Sequence, residues 1–292
     1  MNINSLGAEY KENVSSKYLS TYKGGGKIKY VFYPVTIKEL REVVNFALNA
    51  GLPFFILGNG SNILVRDKGY GGIAICLKKF CRSSCYNDCV YAEAGVKLSF
   101  IYQKLCLVNG LSGFERLHGI PSTVGGAIIG NAGAFGTDIG DITEYADVMN
   151  LSDGKVKRLN KRELGFGYRS SMLKNGGYVV LGASFKLDVK PAELIVEEEK
   201  RVKRIRKESQ PDLPSLGSVF LRQGDIFPAK LIEACGLKGY GVGGAKISER
   251  HANFIVNNGN GTASDYIRVM EKAESMVRSE FGVALVKEIK II

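Results

Sequence analysis

Gly119-Ile120-Pro121-Ser122-Thr123-Val124-Gly125-Gly126-Ala127-Ile128-Ile129-Gly130-Asn131-Ala132-Gly133-Ala134-Phe135-Gly136 is the stretch on which the reading of the chain turns. Glycine recurs through it and again at Gly140, and almost no charge appears before Asp138. Each interior glycine costs a helix about 1 kcal/mol relative to alanine, so a regular helix is not expected here. The stretch is also too apolar for a flexible linker. A rigid loop whose backbone approaches something closely is the expected structure. The pattern is not G-x-G-x-x-G, and the strand–helix context of the doubly wound dinucleotide fold is missing. A dinucleotide site of another architecture and a tightly packed structural loop are the two readings left.

A second glycine-rich piece lies upstream. Thr36 to Gly51 reads as a helix: Thr36 and Glu39 form a capping box, Leu40, Val43, Val44, Ala47 and Leu48 recur at helical spacing, and Gly51 stops it. Leu52 to Leu57 reads as a short strand. Gly58-Asn59-Gly60-Ser61-Asn62 forms a tight turn, and Ile63-Leu64-Val65 is a second strand. Backbone N–H groups in such a turn can nest a pyrophosphate, with Ser61 and Asn62 adding donors. An Asn-Gly pair between strands is equally the signal of a plain hairpin.

The rest reads as mixed α and β. Gly72–Cys76 and Val90–Ala94 are expected strands, Ser99–Asn109 a helix ended by Gly110, and Tyr145–Leu151 and Tyr178–Leu187 further strands. Pro191 opens a charged helix to about Glu208, and the segment Gln210–Pro214 looks like a domain connection. Short helix Pro228–Cys235, turn Gly239–Gly244, strand Ala252–Val256, helix Ser264–Phe281 and a final strand Val283–Ile292 complete the pattern. Cys76, Cys81, Cys85 and Cys89 are clustered, but without paired C-x2-C knuckles. Reduced thiols on two strands and their turn are expected rather than a metal site.

The chain has 292 residues, 45% hydrophobic and 24% charged, with a formal net charge of +11. It is long enough for two or three domains. A basic surplus suits nucleic acid, an anionic membrane surface or anionic small molecules. The densest basic run, Lys200–Lys207, follows Glu197-Glu198-Glu199 and reads as a solvated helix face. No clustered patch with interleaved aromatics speaks for nucleic acid. The opening residues lack a signal-peptide pattern and no apolar run reaches transmembrane length. The expectation is a soluble cytoplasmic protein, a monomer acting on a small molecule, with neither nucleic-acid nor membrane partner.

LGNGSNILV (57–65), GIPSTVGGAIIGNAGAFG (119–136), GYRSS (167–171), PSLGSVF (214–220), KLIEACGLKGYGVGGAKISERHANFIVN (230–257) and LVKEI (285–289) occur in this order. Together they resemble the UDP-N-acetylenolpyruvoylglucosamine reductases, the MurB family, from about residue 19 onward. The chain is short, like the subclass lacking a tyrosine-bearing lid loop. The resemblance implies an α+β fold of the FAD-binding PCMH (vanillyl-alcohol-oxidase-like) type. Two flavin-binding subdomains would span 1–78 (joined by strand 285–292) and 79–196, and a substrate-binding domain 197–284. It implies noncovalent FAD, reduced by NADPH, and hydride transfer from the flavin to an enolpyruvyl sugar nucleotide in peptidoglycan precursor synthesis.

Carried onto this chain, the resemblance implies that FAD contacts Leu57, Gly58, Asn59, Gly60, Ser61, Asn62, Gly119, Ile120, Pro121, Ser122, Thr123, Gly125, Gly126, Ala127, Asn131, Ala132 and Gly133. Arg169 matches the arginine beside the substrate carboxylate, where a guanidinium stabilises a developing enolate. Glu288 matches a glutamate that supports the enol if protonated or bridged by water, which requires a raised pKa. Ser218 matches the proton donor; a serine hydroxyl is competent only when fixed against the forming carbanion. Tyr168, Arg222 and His251 match substrate-binding positions. From residue type alone, Arg169 reads as a surface arginine, Ser218 as a turn serine, Glu288 as an exposed glutamate and His251 as structural. Two departures stand out. Leu221-Arg222-Gln223 replaces the family's Lys-Asn-Pro, and Ser122 stands where the family has glycine. Another FAD oxidase or dehydrogenase on the same fold is the alternative enzyme reading.

Overall fold

In the computed structural model, which describes residues 3 and 6–292, Thr36 caps a helix over Ile37–Asn49 and buries Leu40, Val43, Val44 and Ala47. Thr36 Oγ1 accepts from Glu39 N–H at 3.1 Å, while the Glu39 carboxylate reaches back to Val35 N–H at 2.8 Å, one residue earlier than a standard capping box. Residues 1, 2, 4 and 5, at the head of the expected first subdomain, lie outside the described residues. The chain divides into two units, one of Met1–Tyr10, Val31–Asn59 and Ile73–Arg204, the other of Lys11–Tyr30, Gly60–Gly72 and Ile205–Ile292. Each mixes helices with sheet, as the α+β reading requires.

The first unit is built on a five-stranded antiparallel sheet. Its order is Val156–Asn160, Thr143–Asn150, Tyr178–Lys186, Cys89–Glu93, Ser83–Tyr86. The middle strand is buried on both faces from Val179 to Phe185. Within the same unit Phe54–Leu57 pairs in parallel with residues 73–76, Phe54 opposite Ile73 and Leu57 opposite Cys76. The Asn-Gly turn is therefore no hairpin. Phe54–Leu57 pairs onward with Tyr70–Cys76, and Ile63–Leu64 pairs in parallel with Lys290–Ile291. The helical run Leu98–Asn109 has a π turn at Tyr102–Cys106 and ends on left-handed Gly110.

The glycine-rich stretch corrects its expectation. Val124–Gly130 is an α-helix, opened by Thr123 and closed by Asn131 in the left-handed region. Propensity alone opposes it, but tertiary packing decides. Val124, Gly125, Ala127 and Ile128 are buried, and a Cβ on Gly125 would stand 3.1 Å from the Ala94 Cβ. The glycine lets the helix lie close against the end of strand Cys89–Glu93.

The second unit carries an antiparallel sheet ordered Ser215–Ser218, Phe254–Asn257, Ala245–Ile247, Gly241–Val242. Helices Pro228–Ala234 and Ala263–Phe281 share its core with Tyr22, Tyr266, Met270, Ile255 and Ile232. The expected long final strand is reduced to Lys290–Ile291. Residues 286–288 instead run beside 219–221: Leu221 N–H donates to Val286, Glu288 N–H donates to Val219, and Arg66 N–H donates to Ile292 at 2.7 Å. No helix among the described residues is long and apolar enough to cross a membrane. Cys76 is buried, Cys81 is exposed, and Cys85 and Cys89 lie on the hairpin of Ser83–Tyr86 with Cys89–Glu93.

Helix Ala263–Phe281 has a reciprocal capping box between Thr262 and Asp265. Asp67 adds a second cap, accepting from Ala263 N–H at 2.9 Å, Ser264 N–H at 2.8 Å and the Ser264 hydroxyl at 2.5 Å. Burial pushes the Asp67 carboxyl up, but these bonds outweigh it and hold it below the usual aspartate value. A depressed folded value means stability present above about pH 4 and lost as pH falls through that value. Asp67→Ala is expected to destabilise by about 1 kcal/mol at neutral pH, solvent screening holding the effect low. Urea unfolding at about pH 7 and about pH 3 checks this; a gap of the same size at both would count against the cap.

Candidate flavin and substrate site

In the first unit the two glycine-rich pieces meet. Asn59 Nδ2 donates to the Pro121 carbonyl at 2.8 Å, tying the turn after Leu57 to the segment before the helix. A Cβ on Gly58 would stand 2.7 Å from Thr123 Oγ1. Thr123 is buried, and its hydroxyl has no hydrogen-bond partner. A buried hydroxyl without a partner costs free energy that an external polar group can recover. Backbone cleared of side chains beside an unsatisfied donor fits a dinucleotide such as FAD. Ser122 Oγ is already used, donating to the Thr123 carbonyl at 3.0 Å.

Asn131 joins the end of the helix to the loop that carries Arg169. Its Nδ2 donates to Gly167 at 2.9 Å, and its Oδ1 accepts from Gly140 N–H at 2.9 Å. Ser171 Oγ also donates to Ile129 at 2.8 Å. Arg169 sits in the left-handed region with φ +51°. For a residue with a Cβ this costs about 1–2 kcal/mol, so the surroundings must impose it. The guanidinium supplies that constraint, donating to the Gly133 carbonyl at 2.6 Å, Asp138 Oδ1 at 3.1 Å and the Asn131 carbonyl at 3.4 Å. Arg169 is thus held against Asn131 and Gly133, two of the expected flavin positions. Tyr168 beside it is half exposed, its ring 5.1 Å from the Arg169 guanidinium carbon.

In the second unit, Asn62, Ser218 and Glu288 gather around one backbone ladder. Asn62 Nδ2 donates to the Glu288 carbonyl at 3.1 Å, and Glu288 N–H donates to the carbonyl of Val219, next to Ser218, at 2.8 Å. Gly60 has φ +64°, and its carbonyl accepts from Thr21 N–H at 3.2 Å. His251 packs edge-on to Phe254 with ring centres 4.8 Å apart, and its Nδ1 accepts from Asn253 N–H at 3.2 Å. Burial pushes the His251 imidazole below its ordinary value, so the neutral ring carries its proton on Nε2. Arg222 is exposed, its guanidinium carbon 5.5 Å from the Phe227 ring.

Asp138 and Asn253, which hold these side chains, were not among the expected site residues. Asp138 is the first charge after an uncharged run, which marks no role by itself, and nothing in the sequence singles out Asn253.

Comparison with known proteins identifies the family. Residues 28–160 match the FAD binding domain family, and residues 210–292 match the C-terminal domain of UDP-N-acetylenolpyruvoylglucosamine reductase. The UDP-N-acetylenolpyruvoylglucosamine reductase of Caldanaerobacter subterraneus subsp. tengcongensis is 39% identical over 281 residues, covering 96% of this chain and 92% of the relative. That of Streptococcus suis is 41% identical over 271 residues, covering 92% and 89%. The crystal structure of the enzyme from Thermus caldophilus superposes with a TM-score of 0.82 at 32% identity, covering 97% and 98% of the two chains. A Physcomitrella patens BBE-like protein, 15% identical with a TM-score of 0.51 over 63% of this chain and 43% of its own, shares the flavin-binding fold alone. With two family matches in order and relatives aligned over nearly its whole length, the chain belongs to the UDP-N-acetylenolpyruvoylglucosamine reductase (MurB) family of FAD-dependent oxidoreductases.

Proposed function

We propose that the chain reduces UDP-N-acetylglucosamine enolpyruvate to UDP-N-acetylmuramate, with NADPH as electron donor, as a cytoplasmic monomer. Family membership supports the reaction class. The observation that carries the assignment of roles is the Glu288–Val219 backbone bond, which sets Glu288 beside the strand of Ser218.

Bound FAD supplies the hydride. The chain's own residues manage the charge and the proton. Addition of hydride to the terminal carbon of the enol ether pushes an electron pair toward the substrate carboxylate. Arg169 binds that carboxylate, and its permanent charge lowers the energy of the enolate. The contacts to Gly133, Asp138 and Asn131 fix the guanidinium before substrate arrives. Glu288 supports the enol oxygen by a hydrogen bond, directly as the acid or through water. Ser218 Oγ–H delivers a proton to the neighbouring carbon, and the serine oxygen regains one from solvent. Tyr168, His251 and Arg222 hold the sugar nucleotide. Leu57–Asn62, Gly119–Thr123, Gly125–Ala127 and Asn131–Gly133 hold the cofactor, with the Thr123 hydroxyl making one of its polar contacts.

Ser218→Ala is expected to leave flavin reduction by NADPH near normal and to slow reoxidation by the enolpyruvyl sugar nucleotide about 10²–10⁴-fold. Stopped-flow absorbance reads both steps; equal loss in the two, or loss in neither, would sink the serine's role. Arg169→Lys keeps the charge but loses the planar fork, and reoxidation should slow about 10²-fold. An unchanged rate would move the carboxylate contact elsewhere. Gly58→Ala should displace Thr123 and release flavin, so the variant would purify less yellow. Full retention of flavin absorbance in that variant would contradict the cofactor placement.

A further inference from the structure

The strand carrying Ser218 does not keep regular pairing. Ser215 faces Val256 and Ser218 faces Phe254, so the register slips between them, across Gly217 with φ +76°. Immediately beyond Ser218 the ladder is continued by a side chain. Asn253 is only 6% exposed. Its Nδ2 donates to the Phe220 carbonyl at 2.9 Å, and its Oδ1 accepts from the Phe220 N–H at 3.0 Å. Its own carbonyl accepts from Val219 N–H at 2.9 Å. On the opposite edge, Val219 accepts from Glu288 and Leu221 donates to Val286, each at 2.8 Å. The carboxamide thus stands in for a strand's backbone. Exchanging its oxygen and nitrogen would set donor against donor and acceptor against acceptor, so its orientation is unique.

We propose that Asn253 is a positioning residue for proton transfer: by pairing with both backbone groups of Phe220 it anchors the strand just past Ser218 and holds the serine hydroxyl at the carbon to be protonated. The proposal rests on Ser218 being the proton donor. Gly217 leaves the backbone before Ser218 free to swing, so the anchor must come from the other side. A misplacement of about 1 Å costs roughly 10²-fold in rate, which makes a rigid anchor worth a buried polar side chain.

Asn253→Asp keeps the shape and changes one atom. Ionised, the new carboxylate still accepts from Phe220 N–H but sets its second oxygen against the Phe220 carbonyl. Protonated, it donates there as the amide did, and burial raises the pH at which it does so. In the holoenzyme, flavin reduction by NADPH is expected within about twofold of wild type. Reoxidation by the sugar nucleotide should be about 10²-fold slower at about pH 8, recovering at least about tenfold, relative to wild type, by about pH 5.5. Dividing by the wild-type profile removes every titration but that of the introduced carboxylate, His251 included, and the loss should fall on kcat more than on KM. Reoxidation at the wild-type rate, parallel loss in both half-reactions, or loss without acid recovery would each overturn the proposal. If the Asp variant does not fold, Asn253→Ser should show the same split between half-reactions, and equal loss in both would overturn it. Ser218→Ala is measured alongside. A wild-type rate there removes the proton-donor reading itself, whereas a slow Ser218→Ala with a normal Asn253→Asp removes only the positioning role.

Discussion

The backbone bond from Glu288 N–H to the Val219 carbonyl is the constraint on which the second unit's chemistry hangs. It fastens residues 286–288 to the strand of Ser218, and the Asn62 amide grips the Glu288 carbonyl from the other side. A turn residue, a strand residue and a residue far along the sequence are thereby set around one peptide. Main-chain hydrogen bonds suit this task because their geometry tolerates little drift, and a side chain projecting from such a ladder inherits its rigidity.

The first unit reaches similar rigidity by another route. Arg169, Asn131 and Phe135 all adopt left-handed backbone conformations. Three such residues within two neighbouring segments imply that the surroundings over-determine the backbone. Asn131 Nδ2 and the Arg169 guanidinium do this by bonding to carbonyls of the opposite segment, while Asn131 Oδ1 accepts from Gly140 N–H within its own. The strain is local, and it sits where a charged group must be aimed.

Much of this was legible in the residues. Thr36, Glu39 and the apolar spacing behind them announced helix Ile37–Asn49 to within a residue or two, because capping and periodicity are local. Helix Val124–Gly130 was not legible, since what stabilises it is the close approach to Ala94, and a glycine seen alone signals only freedom. Strand Val156–Asn160 escaped because it lies at the sheet edge, with Leu159 alone buried. The meeting of the two glycine-rich segments was inferred, but the Asn59–Pro121 bond and the stranded Thr123 hydroxyl are tertiary facts without a sequence mark. Asn253 carries no mark either: a lone polar residue in an apolar run has no period to reveal its partner.

The parallel pairing of Ile63–Leu64 with Lys290–Ile291 bears on how the protein is made. At a translation rate of about 10 residues per second, the earlier strand leaves the ribosome roughly 20 s before its partner exists. During that interval the backbone groups of Ile63–Leu64 that face Lys290–Ile291 lack that partner. Partners so distant in sequence also slow folding after release.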